Sequence, residues 1–195
     1  MNLPFHAGSL HAALLAAALL LLLVLRAAWR ASRISRAELR ALKELASSSG
    51  LLFHRATLLR NPRLIGKWHG SATALVLGQN GLRITMRLKA KAERRTAVLC
   101  PGRKNSPTWG ISDYLESTYH VTGDRQLLER LAGGVEQLDA VRHLSGEFKL
   151  TVAPRSRGTA RLTFQTAIAV GSAEQIRRLL DALLALSRRL ENGNG

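Results

Sequence analysis

Cysteine and carboxylate side chains are scarce in this chain of 195 residues. Cys100 is the one cysteine, so an intramolecular disulfide framework and a thiolate-rich zinc site are both excluded. Only 13 Asp and Glu stand against 29 Lys and Arg, which gives a formal net charge of +16. This imbalance indicates attraction to anionic surfaces, whether phospholipid, nucleic acid or an acidic protein.

Recognisable metal, nucleotide and catalytic motifs are missing as well. The six histidines include no pair at the i, i+4 spacing of a helical metal site, so we expect no metal and no cofactor. The glycines of 66–81 match neither a phosphate loop nor a dinucleotide-binding fingerprint. The stretch SDYLESTYHVTGD, 112–124, has the residue types of an acid–base site, but helix caps and turns use the same residues. Catalysis is therefore the weakest of the functional hypotheses.

A long apolar run lies near the N-terminus. No Asp, Glu, Lys or Arg precedes Arg26, and every residue of 10–25 except His11 is Ala, Leu or Val. Extended back to Leu3, this run predicts a helix that spans a bilayer core of roughly 30 Å. A cleaved signal peptide is the alternative, but the start has no basic n-region and the run leads directly into arginines. We therefore predict a single-pass signal anchor at 1–30.

The basic residues that follow the apolar run set its predicted orientation. They are Arg26, Arg30, Arg33, Arg36, Arg40 and Lys43. All lie within about 20 residues of the end of the run, where basic side chains resist translocation. The N-terminus should then lie outside the cell membrane and the domain in the cytoplasm. The same residues are candidates for binding an anionic lipid leaflet, although a purely topogenic role would also explain them.

The rest of the chain predicts an α+β domain. A basic juxtamembrane helix is predicted within 31–50, with Gly50 at its C-cap. Alternating residues predict a strand at 51–59 and two β-hairpins at 70–91 and 146–170. Between the hairpins, a helix that begins at Asp124 should kink or split at Gly133 and Gly134.

The final helix is predicted from a capping box formed by Ser172 and Gln175. The predicted architecture is thus an N-terminal transmembrane helix followed by a small cytoplasmic domain, 51–190, of two β-hairpin regions packed against helices. A flexible tail should follow at 191–195. The order helix, strands, helix, strands, helix also hints at a duplicated unit, although the two halves share no obvious sequence similarity.

The polar faces of the two predicted hairpins are basic. If the hairpins share one sheet, Arg83, Arg87, Lys89, Lys149 and Arg161 would form one cationic surface for phosphates. This surface has no aromatic side chain for base stacking, and an ordinary solvated face would show the same alternation.

Two hypotheses of function follow. The first is a membrane-anchored interaction or assembly domain without catalysis, whose partners are an anionic membrane and another protein. The alternative is a membrane-tethered nucleic-acid-binding protein that uses the basic sheet face. A small-molecule substrate is not expected.

Overall fold

The fold is given by a computed structural model, which describes residues 7–33, 35–57, 60–78, 80–90, 92, 94–100, 110–155, 158–167 and 171–192. The helices in these ranges are α1 (Ala7–Arg33), α2 (Arg36–Ser49), α3 (Asp113–Thr118), α4 (Arg125–Ala132), α5 (Val135–Ser145) and α6 (Ala173–Asn192). The strands are β1 (Leu52–His54), β2 (Arg63–Trp68), β3 (Ser71–Gly78), β4 (Gly81–Leu88), β5 (Thr96–Cys100), β6 (His120–Thr122), β7 (Phe148–Arg155) and β8 (Thr159–Thr166).

All of these strands belong to one antiparallel sheet of order β1-β2-β3-β4-β8-β7-β5-β6. The two predicted hairpins, β3–β4 and β7–β8, are confirmed. They are joined because β4 pairs with β8 over its whole length, with Arg83 opposite Gln165 and Arg87 opposite Arg161. The polar faces of the two hairpins are therefore continuous.

One face of the sheet is covered by helices. In β4 the alternating side chains Leu82, Ile84, Met86 and Leu88 are buried, as the period of two predicts. They share a core with apolar residues of α2, α4, α5 and α6, the longest series being Ile176, Leu179, Leu180, Leu183, Leu184, Leu186 and Leu190. The fold is therefore a layer of helices against one side of a sheet.

Local sequence signals explain where the helices begin and end. Ser35 and Glu38 form a capping box at the start of α2, which accounts for the acidic Glu38 within its apolar stripe. Gly50 ends that helix in the left-handed conformation at φ 71°. Gly133 and Gly134 divide the predicted long helix into α4 and α5.

Other predicted elements differ from the structure. The strand expected at 51–59 is only three residues long. It pairs with β2, which the sequence pattern does not predict because Asn61 and Pro62 are typical of a turn. At α6, Ser172 caps the helix, but the side chain of Gln175 accepts from the Gly171 N–H instead of closing a capping box. The residues of the tail that follow Asn192 lie outside the described residues.

The predicted transmembrane anchor is wrong. No helix in the described part of the chain is long and apolar enough to cross a membrane. In α1, His11 precedes and Arg26 follows an uninterrupted apolar stretch of 14 residues, 12–25. Such a stretch measures about 21 Å as a helix, against a hydrocarbon core of about 30 Å. Leu3, to which the prediction extended the span, lies outside the described residues. The predicted orientation depended on the anchor, and the cytoplasmic location of the domain stays a prediction.

Candidate functional site: the open face of the sheet

The face of the sheet opposite the helices, here called the open face, is basic. None of the described strands contains Asp or Glu. The side chains on this face that carry positive charge are Arg63, Lys67, Arg83, Arg87, Lys149, Arg155 and Arg161. All are exposed except Arg63, which is half-buried. Within the described residues, none of them forms an ion pair with a carboxylate.

Strand register arranges the open face in rows that run across the sheet. The first basic row contains Arg63, Arg83 and Lys149, which the register links through Val76 and Gln165. The second basic row contains Lys67, Arg87 and Arg161. Lys67 on β2 pairs with Ala72 on β3, and Arg87 on β4 pairs with Arg161 on β8.

Between them lies the threonine row. It comprises Ala74, Thr85, Thr163, Thr151, Ala97 and Thr122, which are aligned across six strands. Ile65 of β2 pairs with Ala74 and continues this row with an exposed, larger apolar side chain. Short side chains therefore separate the basic ones from β3 onward but not on β2, and the shallow trough with cationic edges lies over that part of the open face.

The dimensions of the trough follow from standard sheet geometry. Arg63 on β2 and Lys149 on β7 are four strand spacings apart, which at about 4.8 Å each is about 19 Å. Arg83 and Arg87 are four residues apart on one strand, or about 14 Å. The charges are therefore distributed over an area larger than a single small anion.

Two arrangements on this face concern arginine directly. Arg87 and Arg161 are direct cross-strand partners, a position in which like charges are destabilising. Gln165, with its amide oxygen turned toward Arg83, accepts hydrogen bonds from Nε and Nη2 of that guanidinium at 2.6 Å each. The first arrangement favours the presence of a counter-anion, and the second fixes the orientation of one guanidinium.

A cleft of about 590 Å³ adjoins this face at the β3–β4 turn. Arg60, Arg63 and Arg83 line it together with Asn61, Val76, Gly78, Asn80, Gly81, Leu82 and Gln165. No carboxylate is among these lining residues. The cleft is therefore cationic and rich in hydrogen-bond donors.

The structure brings together most of the predicted sheet-face residues. Arg83, Arg87, Lys149 and Arg161 share the open face. Lys89 lies beyond the end of β4, where its N–H donates to Glu191 of α6 at 2.7 Å. The pairing of β4 with β8 ends at Leu88, so Lys89 belongs to neither basic row.

The predicted lipid-binding cluster lies elsewhere in the chain. Arg36, Arg40 and Lys43 are exposed on α2, which packs in the helical layer. The side chains of Arg26, Arg30 and Arg33 are outside the described part of the structure. Lipid binding by this cluster stays a prediction.

Sequence reading missed Arg60, Arg63, Lys67 and Arg155. The signal was present in RLIGKW, residues 63–68, where Arg63 and Lys67 alternate with buried Leu64 and Trp68. The neighbouring Asn61-Pro62 pair obscured it, because such a pair is typical of a turn.

Residues of the stretch 112–124 cap a helix and form structural hydrogen bonds. Asp124 caps α4 by accepting from the N–H groups of Gln126 and Leu127. Tyr114 and Tyr119 both donate to the carboxylate of Asp139, at 2.9 and 2.6 Å. Burial, and then the hydrogen bond to Asp139, raise the pKa of Tyr119, so its phenol stays protonated at neutral pH.

Cys100 is buried at the end of β5, and burial raises the pKa of its thiol. A raised pKa lowers the thiolate population that nucleophilic chemistry requires. Within the described residues, no group of three or more His, Cys, Asp or Glu could hold a metal ion.

Fold and surface together define a two-layer α+β protein whose sheet has one open, basic face, and the described strands contribute no carboxylate to it. No family model, no curated protein and no solved structure matches the chain.

Proposed function

We propose that the open face binds double-stranded nucleic acid along its phosphate backbone. The supporting observation is the pair of basic rows on a sheet whose described strands contain no Asp or Glu. Neutralisation of phosphates by Lys and Arg supplies most of the sequence-independent affinity of proteins for nucleic acid. This function corresponds to the alternative sequence-based hypothesis, a nucleic-acid-binding protein that uses the basic sheet face, without the membrane tether.

Backbone contact is favoured over base contact by the positions of the aromatic side chains. Trp68, Phe148 and Phe164 in the strands are buried in the core, and Phe53 packs against it. Proteins that bind single strands usually stack bases on such rings. The half-buried Thr85, Thr122 and Thr163 of the threonine row instead present hydroxyl groups, which commonly donate to phosphate oxygens.

The spacing of the rows also suits a duplex. The two basic rows are about 14 Å apart along the strands, comparable with the roughly 12 Å width of the major groove of B-DNA. A duplex laid along the first basic row would present about 11 phosphate charges over the 19 Å between Arg63 and Lys149. Long, flexible Arg and Lys side chains can reach phosphates on both sides of such a groove.

The test compares two triple variants of the full chain that change net charge equally. The variant R83Q/R87Q/R161Q removes charge from the open face, whereas R125Q/R178Q/R188Q removes it from α4 and α6. Two of the control arginines form exposed ion pairs, Arg125 with Glu129 and Arg178 with Glu174, so their loss should alter stability little. Binding to a fluorescent 20-base-pair duplex is measured by anisotropy at several salt concentrations.

The open-face variant should lower the slope of log K against log salt by about 2.7, because three phosphate contacts are lost. Its affinity loss between 50 and 200 mM salt should consequently be about 40-fold smaller than that of the unsubstituted protein. The control variant should keep the original slope. Equal slopes for the two variants, or no duplex binding at physiological salt, would overturn the proposal.

An acidic protein is the competing partner for this face. Polyglutamate carries the same sign of charge without the phosphate geometry, so it serves as the competitor. If polyglutamate displaces the duplex at equal charge concentration, the open face would be a docking site for acidic protein and the nucleic-acid proposal fails.

A further inference from the structure

The cleft at the β3–β4 turn differs in shape and composition from the rest of the open face. Three arginines converge on it from two strands and a loop. Arg63 and Arg83 flank Val76, which is their common cross-strand neighbour on β3. The cleft thus concentrates the charge that the two basic rows spread out.

Hydrogen bonds hold the guanidinium of one cleft arginine and the backbone of another. The guanidinium of Arg83 is oriented by the two hydrogen bonds to the Gln165 amide oxygen. The backbone of Arg60 is fixed by reciprocal hydrogen bonds with Thr57, Thr57 N–H to Arg60 C=O at 2.9 Å and Arg60 N–H to Thr57 C=O at 3.2 Å. A preorganised guanidinium loses less conformational entropy when it binds an oxyanion.

We propose that this cleft binds the terminal phosphomonoester of a nucleic-acid strand whose duplex lies on the open face. The inference rests on the proposed function for the source of the phosphate. The cleft is lined by every residue of the first basic row except Lys149, so a backbone that follows the row from Lys149 toward β2 reaches it directly.

The charge and donor count favour a monoester over a diester. A phosphomonoester has a charge of about −1.5 to −2 at pH 7 and three terminal oxygens, whereas a backbone diester has one charge. Three guanidinium groups supply more charge-assisted donors than the two free oxygens of a diester can accept. Two Arg83 N–H groups donate to Gln165, and no carboxylate among the lining residues competes with an anion for the other donors.

The test uses a blunt duplex with either a 5′-phosphate or a 5′-hydroxyl, and the full chain. We expect the phosphorylated duplex to bind at least about tenfold more tightly, since two charge-assisted hydrogen bonds contribute this much or more. The preference should increase from pH 5 to pH 7.5, because the second proton of the phosphate dissociates near pH 6.

Val76→Glu places a carboxylate between Arg63 and Arg83, and it should reduce the preference to about one. Val76→Thr is the matched control, because threonine has the same branched shape without the charge, and it should keep the preference. Arg60→Gln removes a loop arginine outside the strands, so it tests the cleft even if the substitution of Val76 disturbs the sheet. Circular dichroism melts verify that each variant is folded.

The outcomes separate the two proposals. Equal binding of both duplexes by the unsubstituted protein would overturn the terminal-phosphate assignment and leave backbone binding standing. Binding of a nucleoside monophosphate that Val76→Glu abolishes, without binding of any duplex, would overturn the proposed function and keep the cleft as a phosphomonoester site. Stronger binding to vesicles that contain phosphatidic acid than to the phosphorylated duplex would assign the phosphate to a lipid and refute the nucleic-acid end.

Discussion

The direct pairing of Arg87 with Arg161 predicts that the protein becomes more stable when either charge is removed. The backbones of cross-strand partners are about 5 Å apart, and exposed guanidinium groups can spread to about 7 Å. Two unit charges at that distance in water repel by about 0.6 kcal/mol. Screening leaves about 0.5 kcal/mol at 10 mM salt and about 0.25 kcal/mol at 150 mM.

The assay is urea unfolding of the unsubstituted protein, R87Q, R161Q and the double variant, at both salt concentrations. Each single variant should raise the free energy of unfolding by about the repulsion just estimated, and the double variant should gain little more from this pair. A saturating duplex should reverse the order, because the unsubstituted protein gains the most from binding. Single variants that destabilise the protein, or a gain that does not decrease with salt, would refute the argument.

Two further predictions concern the fold that supports the open face. The pKa of Tyr119 is higher in the folded protein than the value of about 10 in the unfolded chain. The stability that this residue contributes is therefore fully present below about pH 10. It is lost as pH rises above about 10, by at most about 1.4 kcal/mol per pH unit. Tyr119→Phe should lower stability at pH 7 by about 1 to 3 kcal/mol and weaken this alkaline loss, as denaturant titrations from pH 7 to 11 would show. Gly81→Ala should destabilise the protein far more than Gly70→Ala. Both glycines have φ near +90°, so the backbone strain of the two substitutions is similar. The difference is steric, because a Cβ at Gly81 would overlap the carbonyl oxygen of Thr166 whereas the space at Gly70 is empty. Similar melting temperatures for the two alanine variants would contradict the steric reason.

Elements with a strong local period could be predicted from the sequence. The second strand of the first hairpin, with Leu82 to Leu88 alternating, and the apolar side of α6 both have one buried face that fixes their type. The division at Gly133 and Gly134 and the cap at Asp124 depend on neighbouring residues only, so they too were accessible.

Features that depend on distant residues could not be predicted in the same way. The pairing of β4 with β8 joins residues almost 80 positions apart, and it determines that Arg83 and Lys149 share one row. The cleft combines a loop arginine, Arg60, with residues of β2, β3, β4 and β8, so no local motif marks it. The apolar run before Arg26 misled the prediction because its continuous length without His11 is too short to span a bilayer.

The helices and the connecting segments carry all the described carboxylates, whereas the strands carry none. Because the described helices carry Arg and Lys as well as carboxylates, the excess of positive charge is greatest at the open face, and this uneven distribution acts as an electric dipole. In the field of a polyanion, this dipole would turn the open face toward the target before contact, so that a larger fraction of collisions is productive. Association would then be fast and steeply dependent on ionic strength, and affinity could be tuned at the surface of the helices without any change at the bound phosphates.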